Sequence, residues 1–127
     1  MKQEFMLHVR NVGNAKASFS EEKHLMFVKA CELYIKQLKD AGQLVSAQPL
    51  MREGCIISKI ADGWKQRNIE PDDEIQVGYY HILANNLNEA IEIARRNPEF
   101  EYVPSATIEL RPIKMKEEQT GYIYPNQ

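Results

Sequence analysis

Three segments of the chain alternate apolar and polar residues with a period of two. Phe5, Leu7 and Val9 alternate with Met6, His8 and Arg10. Tyr80 and Ile82 alternate with Tyr79, His81 and Leu83, and Ile108 and Leu110 alternate with Thr107, Glu109 and Arg111. Such alternation marks strands with one face buried. Laid side by side, the three strands present one greasy face and one face holding two histidines, two arginines, a glutamate and a tyrosine. The first strand is expected over residues 4–10, and Gly13 and Asn14 mark the loop that follows it. Ser18 and Ser20 are candidate N-caps, with Ser18-x-x-Glu21 matching a capping box. They open a long helix to about Ala41, striped by Leu25, Val28, Leu33, Ile35 and Leu38 and ended by Gly42.

A connector with a short extended piece spans residues 43–49. Cys55 to Ile60 is rich in β-branched residues and reads as the second strand. Asp62-Gly63 is a hairpin-turn dipeptide, and residues 64–69 return as its partner. An acidic break over 70–74 precedes the next strand, from Ile75 to Leu83. Asn86-x-x-Glu89 caps a second helix carrying Leu87, Ala90, Ile91 and Ala94 at helical spacing, stopped by Pro98. The last strand runs from Thr107 to Ile113. The order is βαββαβ with an inserted β-hairpin, which is the ferredoxin-like α+β pattern. In that pattern helices cover one sheet face and leave the other bare, and a bare face is ordinarily covered by a second copy or a ligand.

Length and composition bound this picture without changing it. A chain of 127 residues predicts one domain, taken as residues 1–115, with a polar-then-aromatic tail over 116–127. The formal net charge of −2 shows no basic excess, so no nucleic-acid partner is expected. No apolar run approaches the ~20 residues of a membrane helix, and the N-terminus shows no signal core, so a cytoplasmic protein without a membrane partner is the expectation. Cys31 and Cys55 form no CxxC pair and read as small hydrophobes in a reducing setting.

The candidate chemistry sits on the polar sheet face. In a ferredoxin-like sheet the first strand is central, so His8 falls beside the strands carrying His81 and Glu109. Histidine titrates near neutral pH, so His8 and His81 are the candidate acid–base (catalytic) residues. Arg10, Tyr79, Glu109 and Arg111 are the candidate ligand-binding residues, the arginines suited to a small anion. The bland alternative is a hydrogen-bond network at a dimer interface. Two histidines and a carboxylate also resemble an open metal triad in ligand type, but no spaced metal signature exists and none is assigned. His24 reads as a surface residue, and Trp64 as a hairpin packing residue or a dimer anchor. No phosphate loop or nucleophile elbow is present.

The chain resembles the YCII-related, DGPF-domain proteins. The resemblance rests on Phe5-Met6-Leu7, Asp40 to Val45, Gln48-Pro49-Leu50, the Asp62-Gly63 turn and Val77 to Tyr80. It continues through Asn86 to Ala90 with Ala94, Asn97-Pro98, and Ile108 to Ile113. It implies a ferredoxin-like homodimer closing face to face into a dimeric α/β barrel. It also implies a largely uncharacterised function, with some relatives resembling enzymes that use a proposed His–Asp pair. The DGPF tetrapeptide is missing: Gln66 to Pro71 stands in its place. The catalytic histidine of the enzyme-like relatives lies further along the first helix than His24. The function expected is therefore a homodimer binding a small, anionic molecule in a cleft on the open sheet face, with histidine acid–base chemistry there. The competing expectation is a non-catalytic regulatory or protein-interaction module. Cofactors are unknown from the sequence.

Overall fold

The computed structural model describes residues 2–13, 15–70 and 72–125. Asn14 of the first loop, Pro71 of the acidic break, and Asn126 and Gln127 of the tail lie outside the described residues. The first strand, β1, spans Gln3–Val12. Its side chains alternate as the period of two requires, with Phe5, Leu7 and Val9 buried. A 3-10 turn over Ala15–Ser18 leads into helix α1, Glu21–Asp40. Ser20, not Ser18, caps it: the Ser20 hydroxyl accepts from the Lys23 backbone N–H at 3.0 Å. The capping box does not form because Ser18 is spent inside the 3-10 turn. At the other end Gly42, with φ of 69°, lets Gln43 N–H reach back to the Leu38 carbonyl at 2.8 Å. This left-handed C-cap is the stop that the glycine predicted.

The buried stripe of α1 differs from the expected one. Phe27, Tyr34 and Leu38 are buried, while Leu25 and Leu33 stay more than half exposed. Large aromatics displace the leucines because the stripe packs on Tyr80 from the sheet: Tyr34 and Tyr80 meet edge to face at 5.3 Å.

The sheet continues with β2, Leu44–Pro49. The connector thus supplies the second sheet strand, and the β-branched segment does not. That segment, β3 (Cys55–Ile60), pairs only with β4 (Gly63–Asn68) in a separate two-stranded sheet. Every residue of β3 is exposed. β5, Glu74–Ala84, then enters the sheet and buries Val77, Tyr80, Ile82 and Ala84. Helix α2, Leu87–Arg95, is capped by Asn86, whose side chain accepts from Glu89 N–H at 2.9 Å. It buries Ala90, Ile93 and Ala94, whereas Leu87 is exposed. A short α3, Glu99–Tyr102, follows Pro98, and β6, Thr107–Pro112, closes the sheet.

The sheet order is β2-β5-β1-β6, and every pairing is antiparallel. The result is an α+β arrangement compatible with a ferredoxin-like fold. Phe5, Leu7, Val9, Tyr80 and Ile82 meet Tyr34, Leu38, Ala90 and Ile93 in one hydrophobic cluster. At Gly78 a Cβ would meet the Gln48 carbonyl oxygen at 3.1 Å, so glycine lets β2 lie tight against β5. The tail doubles back through a bridge between Lys116 and Ile123, with Tyr122 and Tyr124 edge to face at 5.2 Å. No helix among the described residues is long and apolar enough to cross a membrane.

Candidate functional site

The sheet has two faces, and each holds a different chemistry. On the open face, strand register sets out a grid. His8 faces Tyr79 on β5 and Glu109 on β6. Met6 faces His81 and Arg111, and Arg10 faces Gln76 and Thr107. The six residues that parity singled out therefore share one face. The side chains do not converge as a single cluster. His8 donates from Nδ1 to Gln76 Oε1 at 3.2 Å. His81 donates from Nε2 to Glu4 Oε1 at 2.7 Å, and is buried. Tyr79 shares a hydrogen bond with Ser46 at 3.2 Å. Arg10 meets Glu74 at 3.4 Å. Glu109 and Arg111 are exposed and make no side-chain hydrogen bond or ion pair among the described residues.

Glu4 belongs to the same parity as Met6, His8 and Arg10, so the pattern already held the partner of His81. It places a carboxylate against an imidazole in the manner that orients a histidine proton. At the far end of the same face, Arg10, Arg67, Asp73, Glu74 and Gln76 surround a recess of about 370 Å³ at the foot of the hairpin. Each arginine there already has a carboxylate, Glu74 for Arg10 and Asp73 for Arg67. No group of three His, Cys, Asp or Glu among the described residues could hold a metal ion.

The helix-covered side holds a second, larger cleft of about 400 Å³. It opens between α1 and the β2–β5–β1 part of the sheet. Phe27, Val28, Ile35, Ala47 and Tyr80 give it apolar walls. It exists because α1 contacts the β2 edge sparsely and Gly78 adds no side chain to the floor. The polar end is built by Lys16 from the 3-10 turn and Glu99 from α3. Lys16 Nζ lies 2.6 Å from Glu99 Oε1 and 4.4 Å from the centre of the Phe27 ring. Glu99 is almost fully buried, and its Oε2 has no hydrogen-bond partner among the described residues. Neighbouring Asn97 is also buried; its Oδ1 accepts from Glu99 N–H at 2.9 Å, while its Nδ2 is likewise without a partner. His24 and Glu32 stand at the rim.

Burial holds two of the cleft's groups, the Cys31 thiol and the Tyr80 phenol, in their neutral forms. Burial pushes the Cys31 thiol up to about 11; the Glu99 carboxylate adds to the rise and Lys16 opposes it. Burial raises the Tyr80 phenol as well, helped by Cys31, Tyr34 and Glu99. At neutral pH Cys31 is therefore a thiol, poorly suited to nucleophilic attack. The cleft offers neutral hydrogen-bond donors, one compensated ion pair and apolar walls. That is the lining of a binding pocket for a small organic molecule.

Glu99 and Lys16 carried no periodic signal. Asn97-Pro98-Glu99 read as a helix stop, and Lys16 as part of a loop. Only the packing of both segments against α1 brings them together. His24, set aside as a surface residue, is exposed and sits on the rim. Trp64 is exposed on the hairpin opposite Lys59. A comparison with protein families finds no match, and a comparison with curated proteins finds none.

Proposed function

We propose that this chain is a YCII-related protein of ferredoxin-like fold that works as a homodimer and binds a small organic molecule in the cleft beneath α1. The observation that carries the reading is the cleft itself: about 400 Å³, apolar along its walls and polar at the end closed by Lys16 and Glu99. Cavities of this size and composition suit ligands of roughly ten to twenty heavy atoms. On this reading the open face serves pairing. Four of its polar side chains find partners there: His81 with Glu4, Tyr79 with Ser46, His8 with Gln76 and Arg10 with Glu74.

A second reading puts the ligand on the open face, with His8 or His81 as acid–base residue and Arg10 and Arg111 holding an anion. The contact of Glu4 with His81 favours it, because an oriented imidazole is a prepared proton-transfer group. A titration of isotope-labelled protein with 4-ethylphenol and with 4-ethylbenzoate separates the two. The cleft reading expects amide shifts at Val28, Ala47 and Gly78 on adding 4-ethylphenol. Shifts confined to His8, Arg10 and Arg111 on adding 4-ethylbenzoate would replace it with the open-face reading. A non-catalytic interaction module expects neither.

A further inference from the structure

Among the buried side-chain atoms of the cleft's lining, Glu99 Oε2 has no hydrogen-bond partner among the described residues. Glu99 spends Oε1 on Lys16 and leaves Oε2 buried with no donor. A buried acceptor left without a donor carries its full desolvation penalty. At the buried end the ion pair brings the charge to zero, and the other carboxylate of the lining, Glu32, is exposed at the rim, so a second full charge placed beside the pair would be buried without a counter-ion. Asn97, two residues before Glu99, fixes that turn by accepting from Glu99 N–H at 2.9 Å. The last torsion of a glutamate is broad and two-fold, so the carboxylate can hold Lys16 with one oxygen while the other meets a group in the cleft.

From this unmatched acceptor, the neutral charge balance and the apolar walls, we infer that the cleft selects an uncharged molecule with an apolar body and a hydroxyl group, the hydroxyl donating to Glu99 Oε2. A hydroxyl supplies the donor that Glu99 Oε2 lacks and brings no charge. An ether only accepts, and an ammonium brings a charge that Lys16 repels. The inference rests on the cleft being the ligand site.

Three probes of one shape test it: 4-ethylphenol, 4-ethylanisole and 4-ethylbenzylamine, with affinities followed at the amides of Val28 and Ala47. The expected result is that 4-ethylphenol binds at least tenfold more tightly than either of the others. In Glu99→Gln the amide keeps its oxygen on Lys16 and turns a donor toward the ligand, so the preference for phenol over anisole should fall to within about twofold. Equal binding of phenol and anisole to the unchanged protein overturns the hydroxyl assignment while leaving the cleft as a ligand site. Tighter binding of the amine overturns it in favour of a cationic ligand. An undiminished phenol preference in Glu99→Gln removes Glu99 from the recognition. Failure of all three probes to shift the cleft amides removes the cleft reading itself. Should Glu99→Gln not fold, the three-probe comparison on the unchanged protein decides alone.

Discussion

Tyr34 joins the helical layer to itself: its ring packs on Tyr80, and its hydroxyl donates to the Ile93 carbonyl at 2.7 Å. Removing that hydroxyl takes away one of two donors to the Ile93 carbonyl, which keeps the Arg96 N–H at 3.2 Å. Tyr34→Phe should therefore lose about 0.5–1.5 kcal/mol, the net worth of one hydrogen bond, seen as a fall in Tm of about 2–6 °C. The same neighbourhood makes the fold sensitive to base. Cys31, Tyr34 and Tyr80 all have their proton affinities raised, chiefly by burial, and Cys31 moves from 9.0 to about 11. The folded chain then keeps protons that the unfolded chain has released. Their contribution to stability is complete below pH ~9 and is lost as pH rises from there through 11 and beyond. Urea midpoints should fall steadily above pH ~9, and Cys31→Ala should flatten the first part of that fall. Midpoints independent of pH between ~8 and ~10.5 would contradict the burial of these groups. Single residues show what parity reveals and what it omits. Strand parity located His8, Arg10, His81, Glu109 and Arg111 on one face, because one backbone geometry governs all five. It said nothing of Glu99, whose position follows from how a short helix docks on α1.

At the scale of elements, α1 is held by its two ends. The Ser20 hydroxyl satisfies one orphan N–H, and Gly42 adopts φ of 69° to close the other end. Ser20→Ala should cost about 1 kcal/mol. Gly42→Ala forces a Cβ into the left-handed region, for about 1 kcal/mol more. The two sites lie some 30 Å apart along the helix, so the double substitution should add to about 2 kcal/mol in chemical denaturation. The hairpin behaves differently. Ile57 and Trp64 are exposed, at 63% and 70%. Ile57→Ser and Trp64→Ser should each change the stability of the isolated chain by no more than about 0.5 kcal/mol. The contrast explains why the second sheet strand was hard to place from sequence. Cys55 to Ile60 has the better strand composition, but composition does not say which sheet a strand joins. Leu44 to Pro49 carries Ser, Gln and Pro, and its register shifts between Leu44 and Ser46, which blurs the alternation. Its membership of the sheet is set by the Gly78 approach and by the Leu83 N–H, which donates to the Gln43 carbonyl at 2.8 Å, both contacts distant in sequence.

At the scale of the whole molecule, an α+β layer pair has one sheet face under helices and a second face away from them. Met6, His8, Tyr79 and Leu83 lie half-buried on that second face. A standard interface buries about 800 Å² per partner, close to a tenth of this chain's 8951 Å². A four-stranded sheet face is large enough to supply that area. In a two-fold pair, each substitution near the axis is met by its own copy, so one added charge acts twice. Met6 lies on the central strand, between His81 and Arg111 in register, and its side chain points away from the core. Met6→Asp should convert a species of twice the 14.7 kDa chain mass into one of the single mass by sedimentation, with its far-ultraviolet circular dichroism unchanged. Trp64→Ser is the companion measurement. If it dissociates the pair and Met6→Asp does not, the hairpin and not the sheet face joins the copies. A chain that already sediments at its single mass leaves the open face to solvent. His8 and Arg10, both part-exposed, are then accessible to a ligand without any partner subunit, and the open-face reading gains the ground that pairing loses.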